Sequence, residues 1–157
     1  MTTVPVSARP ATVVADRAPS TARKLGIVPG VTVNLLAPPP GWLIPDLPAD
    51  VVVAELADGL GMGDGRDATR DDIVLAFFRS AADVESAIDR LAPMIFPDGA
   101  LWVAWPRRAG GHRSDITDNV VRAAALTRGL VDNKVAAIDN DWSGLRVVWR
   151  TGQRRAR

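Results

Sequence analysis

A segment that is half apolar and half basic, "LWVAWPRRAGGHR" at residues 101–113, carries the residue types best suited to binding chemistry in this chain. Its first half contains two tryptophans, and its second half joins three arginines and the only histidine across a pair of glycines. Arginine makes charge-assisted hydrogen bonds to phosphate and carboxylate groups, and a guanidinium stacks well on an indole ring. The segment therefore predicts a binding site for a small anion at the end of a strand.

The composition excludes several catalytic chemistries. The 157 residues contain no cysteine and one histidine, which rules out thiolate nucleophiles, disulfides and metal sites built from cysteine or histidine clusters. No carboxylate or serine stands at a spacing from His112 that predicts a catalytic triad, so we expect an exposed loop histidine. We predict no catalytic and no metal-binding residues. Whether the chain is an enzyme stays open, with a non-enzymatic role favoured.

Two further motifs resemble binding loops but depart from them. The glycine-rich "GLGMGDG" at 59–65 follows a predicted strand, yet too few residues separate it from the next strand for the helix that a dinucleotide site needs. The turn "DNDWSG" at 139–144 begins like a calcium loop, but its twelfth position is Arg150 instead of glutamate. We therefore expect a flexible loop at the first motif and an Asx-type turn at the second.

Charge and hydropathy place the chain among ordinary globular domains. It is 47% hydrophobic and 24% charged, and its 19 basic and 18 acidic residues give a net charge of +1. This balance supplies no overall field that would attract nucleic acid or an anionic membrane. No apolar run has the length of a membrane span or the pattern of a signal peptide, so we expect a cytoplasmic protein.

The chain divides into one domain with two extensions. Residues 1–19 are rich in proline, threonine, alanine and valine without periodicity, and we interpret them as a flexible arm. A single α/β domain is predicted over 20–150, followed by a loose basic tail over 151–157.

Apolar runs of strand length and helical repeats alternate within the domain. Strands are predicted at 31–36, 51–56, 73–78 and 100–105, of which 31–36 and 73–78 are expected to be buried, and a closing hairpin is predicted from strands at 130–138 and 144–150. Strands that are almost continuously apolar indicate a parallel sheet covered on both faces. The expected fold class is α/β, a three-layer sandwich whose mostly parallel sheet ends in an antiparallel C-terminal hairpin.

Three helices are predicted from their capping residues. A short helix begins at Ser20 and stops at Gly26, and a second begins at Ser80 with apolar positions at a helical spacing. A third helix is expected to begin at Ser114 or Asp115 and to close at Gly129. Its predicted inward residues are Ile116, Val120, Val121 and Ala124.

The chain resembles a family of small bacterial proteins, mainly actinobacterial, that is known as a domain of unknown function. The matching stretches are "KLGIVPG", "LLAPPPGW", "LWVAWPRR", "SDITDNVVR", "GLVDNKVAAID" and "WSGLRVV". The family carries Lys-Lys where this chain has Arg107 and Arg108, so charge is kept while hydrogen-bond geometry differs. The resemblance implies a trimmed Rossmann domain like that of class I methyltransferases, and it supplies no catalytic residue to carry over.

In such a fold, ligands bind beyond the carboxyl ends of the parallel strands. Segments after the first, third and fourth strands, together with the hairpin turn, are then expected to meet at one edge. Trp102 and Trp149 are assigned to the core instead. The predicted ligand-binding residues are Trp42, Arg79, Ser80, Trp105, Arg107, Arg108, Trp142 and Ser143.

Three functions remain open from the sequence. The favoured one is a non-catalytic domain that binds a small anionic or nucleotide-like ligand in an arginine- and tryptophan-lined pocket. The second is a divergent methyltransferase with S-adenosylmethionine as cofactor, although "LLAPPPGW" lacks the glycine turn of that group. The third is a protein-interaction module or homo-oligomer that uses the flat apolar edge near the terminal hairpin.

Overall fold

A computed structural model of the chain describes residues 20–56 and 67–152. The predictions for the arm 1–19, for "GLGMGDG" and for tail residues 153–157 lie outside these ranges. The helices are α1 (Thr21–Leu25), α2 (Ala81–Leu91) and α3 (Asp118–Leu126), with short 3-10 turns at Ala92–Ile95 and Arg108–Gly110. The strands are β1 (Thr32–Leu36), β2 (Val52–Leu56), β3 (Asp72–Phe77), β4 (Ala100–Pro106), β5 (Leu130–Ala137) and β6 (Trp142–Trp149).

The strands form one six-stranded sheet in the order β2-β1-β3-β4-β6-β5. The first four strands pair in parallel, whereas β6 is antiparallel to both β4 and β5. The predicted α/β fold class, with a mostly parallel sheet and an antiparallel hairpin, is confirmed. The hairpin turn is shorter than predicted, because β6 already begins at Trp142 and not at residue 144.

Two apolar layers cover the sheet, one on each face. Helices α2 and α3 pack on one face, which we call the α2–α3 face, over residues that include Val74, Leu101, Val103, Trp105, Leu145 and Val147. Helix α1 and the segment after β1 cover the opposite α1 face, over residues that include Val33, Leu75, Phe77, Trp102 and Trp142. The outer strand β2 stays largely exposed, so the core lies under β1, β3, β4 and β6.

Two helix starts follow the capping residues predicted for them. The Oγ atoms of Ser20 and Ser80 accept hydrogen bonds from the backbone N–H groups of Arg23 and Asp83, and so begin α1 and α2. Gly26 ends α1 with a φ of 78°, a left-handed conformation that glycine adopts without a steric penalty.

The third helix begins later than predicted. Thr117 caps α3 by accepting from Val120 N at 3.2 Å, so the prediction of a Ser114 or Asp115 cap is wrong. The later start changes which residues face the sheet. Val121 is fully buried, whereas Val120 is half-buried, and Ile116 reaches the core from the extended segment before the helix.

Membrane spanning is not indicated by these elements. Within the described part of the chain, none of the helices combines the length and apolar character that a bilayer-spanning segment requires.

The corrected orientation of α3 makes a prediction. Val121→Asp places a charge where the side chain is 0% exposed, and we expect loss of cooperative folding because a buried unpaired charge is very unfavourable. Val120→Asp changes the neighbouring half-buried position and should remain folded with a smaller loss of stability. Circular dichroism melting of both variants measures the difference; equal melting temperatures would contradict this orientation of α3.

Arg128, just after α3, forms hydrogen bonds and ion pairs with α2. Its guanidinium donates to the carboxylates of Asp89 at 2.6 Å and Glu85 at 3.0 Å, both on α2, and to the carbonyl oxygen of Ala124 at 2.9 Å. The hydrogen bond with Arg128 holds the pKa of Asp89 below its ordinary value. A lowered carboxyl pKa stabilises the folded state at neutral pH, and this contribution disappears as the pH falls through the folded-state pKa.

We expect Arg128→Gln to lower the free energy of unfolding, because both carboxylates lose their charged partner. Arg90→Gln is the matched control: Arg90 lies exposed on α2 and forms no ion pair within the described residues, so its loss should change stability by about 0.5 kcal/mol or less. Urea unfolding at pH 7 and in strong acid measures both. The difference between parent and Arg128→Gln should shrink in acid; a difference that persists there would contradict the role of Asp89.

Candidate functional site

Four loop segments meet at the carboxyl edge of the sheet, where β1, β3 and β4 end. Strand β6 is antiparallel, so its first residue, Trp142, also lies at this edge, and it is paired in register with Pro106. The backbone N–H of Arg107 donates to the carbonyl oxygen of Asp141 at 2.8 Å, which joins the segment after β4 to the hairpin turn. The segment after β4 and the hairpin turn, which the sequence predicts to meet at this edge, are therefore in contact.

Three aromatic rings form the apolar part of this edge. Phe77, the last residue of β3, lies between Trp42 and Trp142, with ring centroids 4.9 Å and 5.0 Å away in edge-to-face geometry. The guanidinium carbon of Arg79 lies 5.2 Å from the ring centroid of Trp142, within cation–π range. An exposed arginine thus covers an aromatic cluster that is otherwise mostly buried.

The Asp139 carboxylate holds the hairpin turn and Trp42 in place. One oxygen accepts from the backbone N–H groups of Asp141 and Trp142 at 2.8 Å and 2.9 Å, and the other accepts from Nε1 of Trp42 at 3.0 Å. The Asx-type turn expected for "DNDWSG" is confirmed. In addition, a carboxylate of this turn fixes an aromatic ring that belongs to the segment after β1.

The loop after β4 is held against the same turn. His112 is exposed in this loop, as expected, and its Nε2 lies 2.9 Å from Oδ1 of Asp141. Asp141 is 29 residues away along the chain, and only the fold brings the two together. A Cβ on Gly110 would overlap the carbonyl oxygen of Asn140, so the close approach of this loop to the hairpin turn requires glycine at position 110. When Nε2 carries the shared hydrogen, Nδ1 presents a lone pair that can accept a proton.

The N-terminus of α2 already holds an anionic group. Ser80 caps the helix through Asp83 N, and the free N–H of Ala81 donates to the carboxylate of Asp115 at 2.8 Å. Helix N-termini favour negative charge, and here the chain supplies that charge itself. Asp115, predicted as a cap for α3, instead caps α2 across 34 residues of sequence.

The predicted site residues divide between the two faces of the sheet. Trp42 and Trp142 lie on the α1 face, but Trp105 is 7% exposed and belongs to the core of the α2–α3 face. Ser143 is paired with Trp105 and shares that second face. The sequence predicts that Trp42, Trp105 and Trp142 lie near one edge and bind one ligand, but Trp105 faces the other side of the sheet from Trp142. Pro106, the next residue along β4, is the one that pairs with Trp142, and alternate residues of a strand point to opposite faces. Trp102 is fully buried as expected, whereas Trp149 is only half-buried.

At this edge the acidic side chains have hydrogen-bond partners, whereas the arginines have no ion-pair partners among the described residues. The carboxylates of Asp115, Asp139 and Asp141 bind backbone N–H groups, an indole and a histidine. No described carboxylate forms an ion pair with Arg79, Arg107 or Arg108. These acids accept hydrogen bonds from other donors instead.

No metal centre accompanies these groups. The described residues contain no group of three or more histidine, cysteine, aspartate and glutamate side chains arranged to hold a metal ion.

Comparison with known proteins identifies the fold. No family model matches the chain, and no curated protein matches it. A crystal structure of a SAM-dependent methyltransferase from Aquifex aeolicus aligns over 90% of this chain and 98% of its own, with a TM-score of 0.51 and 10% identity. The chain has a methyltransferase-like Rossmann fold. At this identity the likeness concerns the fold alone.

The turn after β1 does not fit S-adenosylmethionine, the cofactor that this fold suggests. Rossmann domains bring the backbone close to the ligand there by using glycines, whereas Ala37 has a φ of 54° and three prolines without N–H groups follow it. Glu55, near the end of β2, does occupy the position where a ribose-binding carboxylate is common. Because the turn that would contact the cofactor disagrees, we assign no methyl-transfer step to these residues.

Two contributors to the edge are not among the residues predicted from the sequence. Phe77 ends β3 and is the next-to-last residue of the strand predicted at 73–78, so its position near the carboxyl edge could have placed it among the aromatic residues. The sequence pattern around Asp139 indicates only a turn former, and its bond to Trp42, 97 residues away, has no local signal.

We expect Asp139→Ala to weaken the packing of the hairpin turn and Trp42 at the carboxyl edge, because three N–H donors lose their acceptor. We expect a loss of about 1–3 kcal/mol in the free energy of unfolding and a red shift of tryptophan emission as Trp42 and Trp142 gain solvent. Asn140→Ala, an exposed neighbour in the same turn, is the control and should change neither. If Asp139→Ala unfolds at the same urea concentration as the parent, the carboxylate does not organise the edge.

Proposed function

We propose that this protein binds a small anionic or nucleotide-like ligand at the carboxyl edge of its sheet, without catalysing a reaction. The observation that carries the proposal is the set of three arginines, Arg79, Arg107 and Arg108, that have no carboxylate partner among the described residues. Asp115, Asp139 and Asp141, the acids of the same edge, accept hydrogen bonds from other donors. An external phosphate or carboxylate would supply the missing negative charge.

The aromatic cluster supports a ligand that has a flat ring as well as a charge. Arg79 lies over Trp142, and the half-exposed Trp42 is oriented by its bond to Asp139. Aromatic rings stack on nucleobases with little dependence on sequence, and arginine adds a cation–π contribution. The placement of this edge beyond the carboxyl ends of parallel strands agrees with where open α/β sheets bind ligands. In this proposal Ser80, Trp105 and Ser143 support the site from the α2–α3 face.

The test is ligand binding by the variant Arg107→Ala/Arg108→Ala. A thermal-shift screen with nucleotides and S-adenosylmethionine comes first, and ADP is then titrated while tryptophan fluorescence is recorded. We expect ADP affinity to fall at least about tenfold, because each lost charge-assisted hydrogen bond contributes about 1.5–3 kcal/mol. The unfolding curves should nearly overlay, since exposed arginines contribute little to stability.

Arg90→Gln serves again as the control for overall charge, and it should bind ADP as the parent does. Arg79→Gln tests the residue over Trp142 separately and should also weaken binding. A double variant that binds ADP as tightly as the parent, or that melts far earlier, would contradict the proposal.

A divergent methyltransferase is the second candidate, and the fold similarity to a SAM-dependent methyltransferase favours it. The proline-containing turn after β1 argues against it. In the thermal-shift screen, a large shift with S-adenosylmethionine and none with ADP would favour this candidate over the first.

Self-association is the third candidate. β5 is the outer strand of the sheet on the hairpin side, so one of its edges is left for pairing with another strand, and Val135 on it is 58% exposed. A dimeric mass in sedimentation, together with a screen that shows no ligand shift, would favour it.

We also propose that the chain belongs to the actinobacterial family that its sequence resembles, with a bacterial origin and a cytoplasmic location. Membership would leave the ligand to be identified by titration.

A further inference from the structure

A second group of positive charges lies away from the carboxyl-edge arginines, on the α1 face of the β5–β6 hairpin. It consists of Lys24 on α1, Lys134 on β5 and Arg146 on β6, which we call the hairpin patch. Lys24 and Lys134 are the only lysines of the chain, and the other 17 basic residues are arginines. The fold brings these two lysines together across 110 residues of sequence.

Strand register and hydrogen bonds define the geometry of the patch. Arg146 is paired with Lys134 on one side and with Trp102 on the other, so all three side chains share one face of the sheet. Nζ of Lys134 donates to the carbonyl oxygen of Lys24 at 2.7 Å, and Nζ of Lys24 donates to the carbonyl oxygen of Ala137 at 3.1 Å. The two ammonium groups are thus positioned on the same side of the hairpin as the Arg146 guanidinium.

The described acids do not neutralise the charge of the hairpin patch. No carboxylate among residues 20–56 and 67–152 forms an ion pair with Lys24, Lys134 or Arg146. Carbonyl oxygens carry no net charge, so they orient the ammonium groups without cancelling their charge. Asp46, the acid bound to α1, contacts Ala22 at the opposite end of that helix.

Arg146 holds its charge in a partly desolvated position. Its side chain is half-buried, and burial lowers the pKa of its guanidinium without an acid to raise it again. Charged groups removed from water are normally paired. A half-buried arginine with two lysines beside it and no acid is therefore the pattern expected of a site whose negative partner comes from outside the chain.

We infer that the hairpin patch binds a phosphate group. Each ammonium uses one N–H on a carbonyl and has others left, and the guanidinium adds a planar set of donors that suits phosphate oxygens. The inference goes beyond the proposed function, because none of these residues belongs to the carboxyl-edge site.

The probe for the test is inorganic pyrophosphate, titrated calorimetrically into the full chain at constant ionic strength. Lys134→Gln is the first variant, because Lys134 is exposed and its replacement should leave the fold intact. We expect it to weaken pyrophosphate binding at least about tenfold, and Arg146→Gln to weaken it further. Lys134→Arg, which keeps the charge, should bind pyrophosphate within a few-fold of the parent.

Two controls distinguish binding at the hairpin patch from a general effect of net charge and from binding at the carboxyl edge. Arg90→Gln removes the same amount of charge from an exposed position on α2 and should bind pyrophosphate normally. Arg107→Ala/Arg108→Ala changes only the carboxyl edge and should also retain the pyrophosphate site. The inference is wrong if Lys134→Gln binds pyrophosphate like the parent, if Arg90→Gln loses as much affinity, or if only the carboxyl-edge variant loses it.

ADP and adenosine distinguish the source of the phosphate. If Lys134→Gln weakens ADP binding by the same factor as pyrophosphate and leaves adenosine unaffected, the patch binds the phosphates of a nucleotide. If pyrophosphate alone is weakened, the patch binds a free phosphate ion. Both results support a phosphate site, and the carboxyl-edge proposal is judged separately by the arginine variants.

Discussion

The Trp102 indole is the contact on which the arrangement of this domain depends. It is fully buried in β4 beneath α1, and its Nε1 donates to the carbonyl oxygen of Leu25 at 3.0 Å. The neighbouring strand must carry glycine at Gly144, because a Cβ there would lie 2.7 Å from Ile138 Cδ1 and 3.0 Å from Trp102 Cε3. The Trp102 side chain thus contacts both the last residue of α1 and the β6 strand of the hairpin. The same hairpin carries Trp142 and Asp139 at the carboxyl edge.

Features that depend on near neighbours could be predicted from the sequence. The strands follow from apolar runs, and the caps at Ser20 and Ser80 follow from residues three positions apart. The start of α3 could not be predicted in the same way, because Ser114, Asp115 and Thr117 are all capable caps. The cap depends on a contact with a distant part of the chain. Because Asp115 binds the N-terminus of α2, Thr117 is the residue that caps α3.

The candidate site also depends on contacts between distant residues, which the sequence pattern does not reveal. Its location could be predicted, since the carboxyl ends of parallel strands meet at one edge whatever the loops contain. Its composition could not, because the face taken by Trp105 relative to Trp142 depends on the register between β4 and β6. The pairing of His112 with Asp141 likewise needs the loop and the turn to be packed together, which no local pattern reports.

The Asp115 carboxylate, which is bound to the N-terminus of α2, competes with any anion that approaches this helix. A tethered group competes at an effective concentration of the order of millimolar or more, whereas a free ligand competes at its actual concentration. A weakly held anion would therefore be excluded from the end of α2 by the chain's own aspartate. Ligands that act through the neighbouring arginines do not have to displace it. Intramolecular competition of this kind would direct binding toward the arginine side of the edge and away from the helix end.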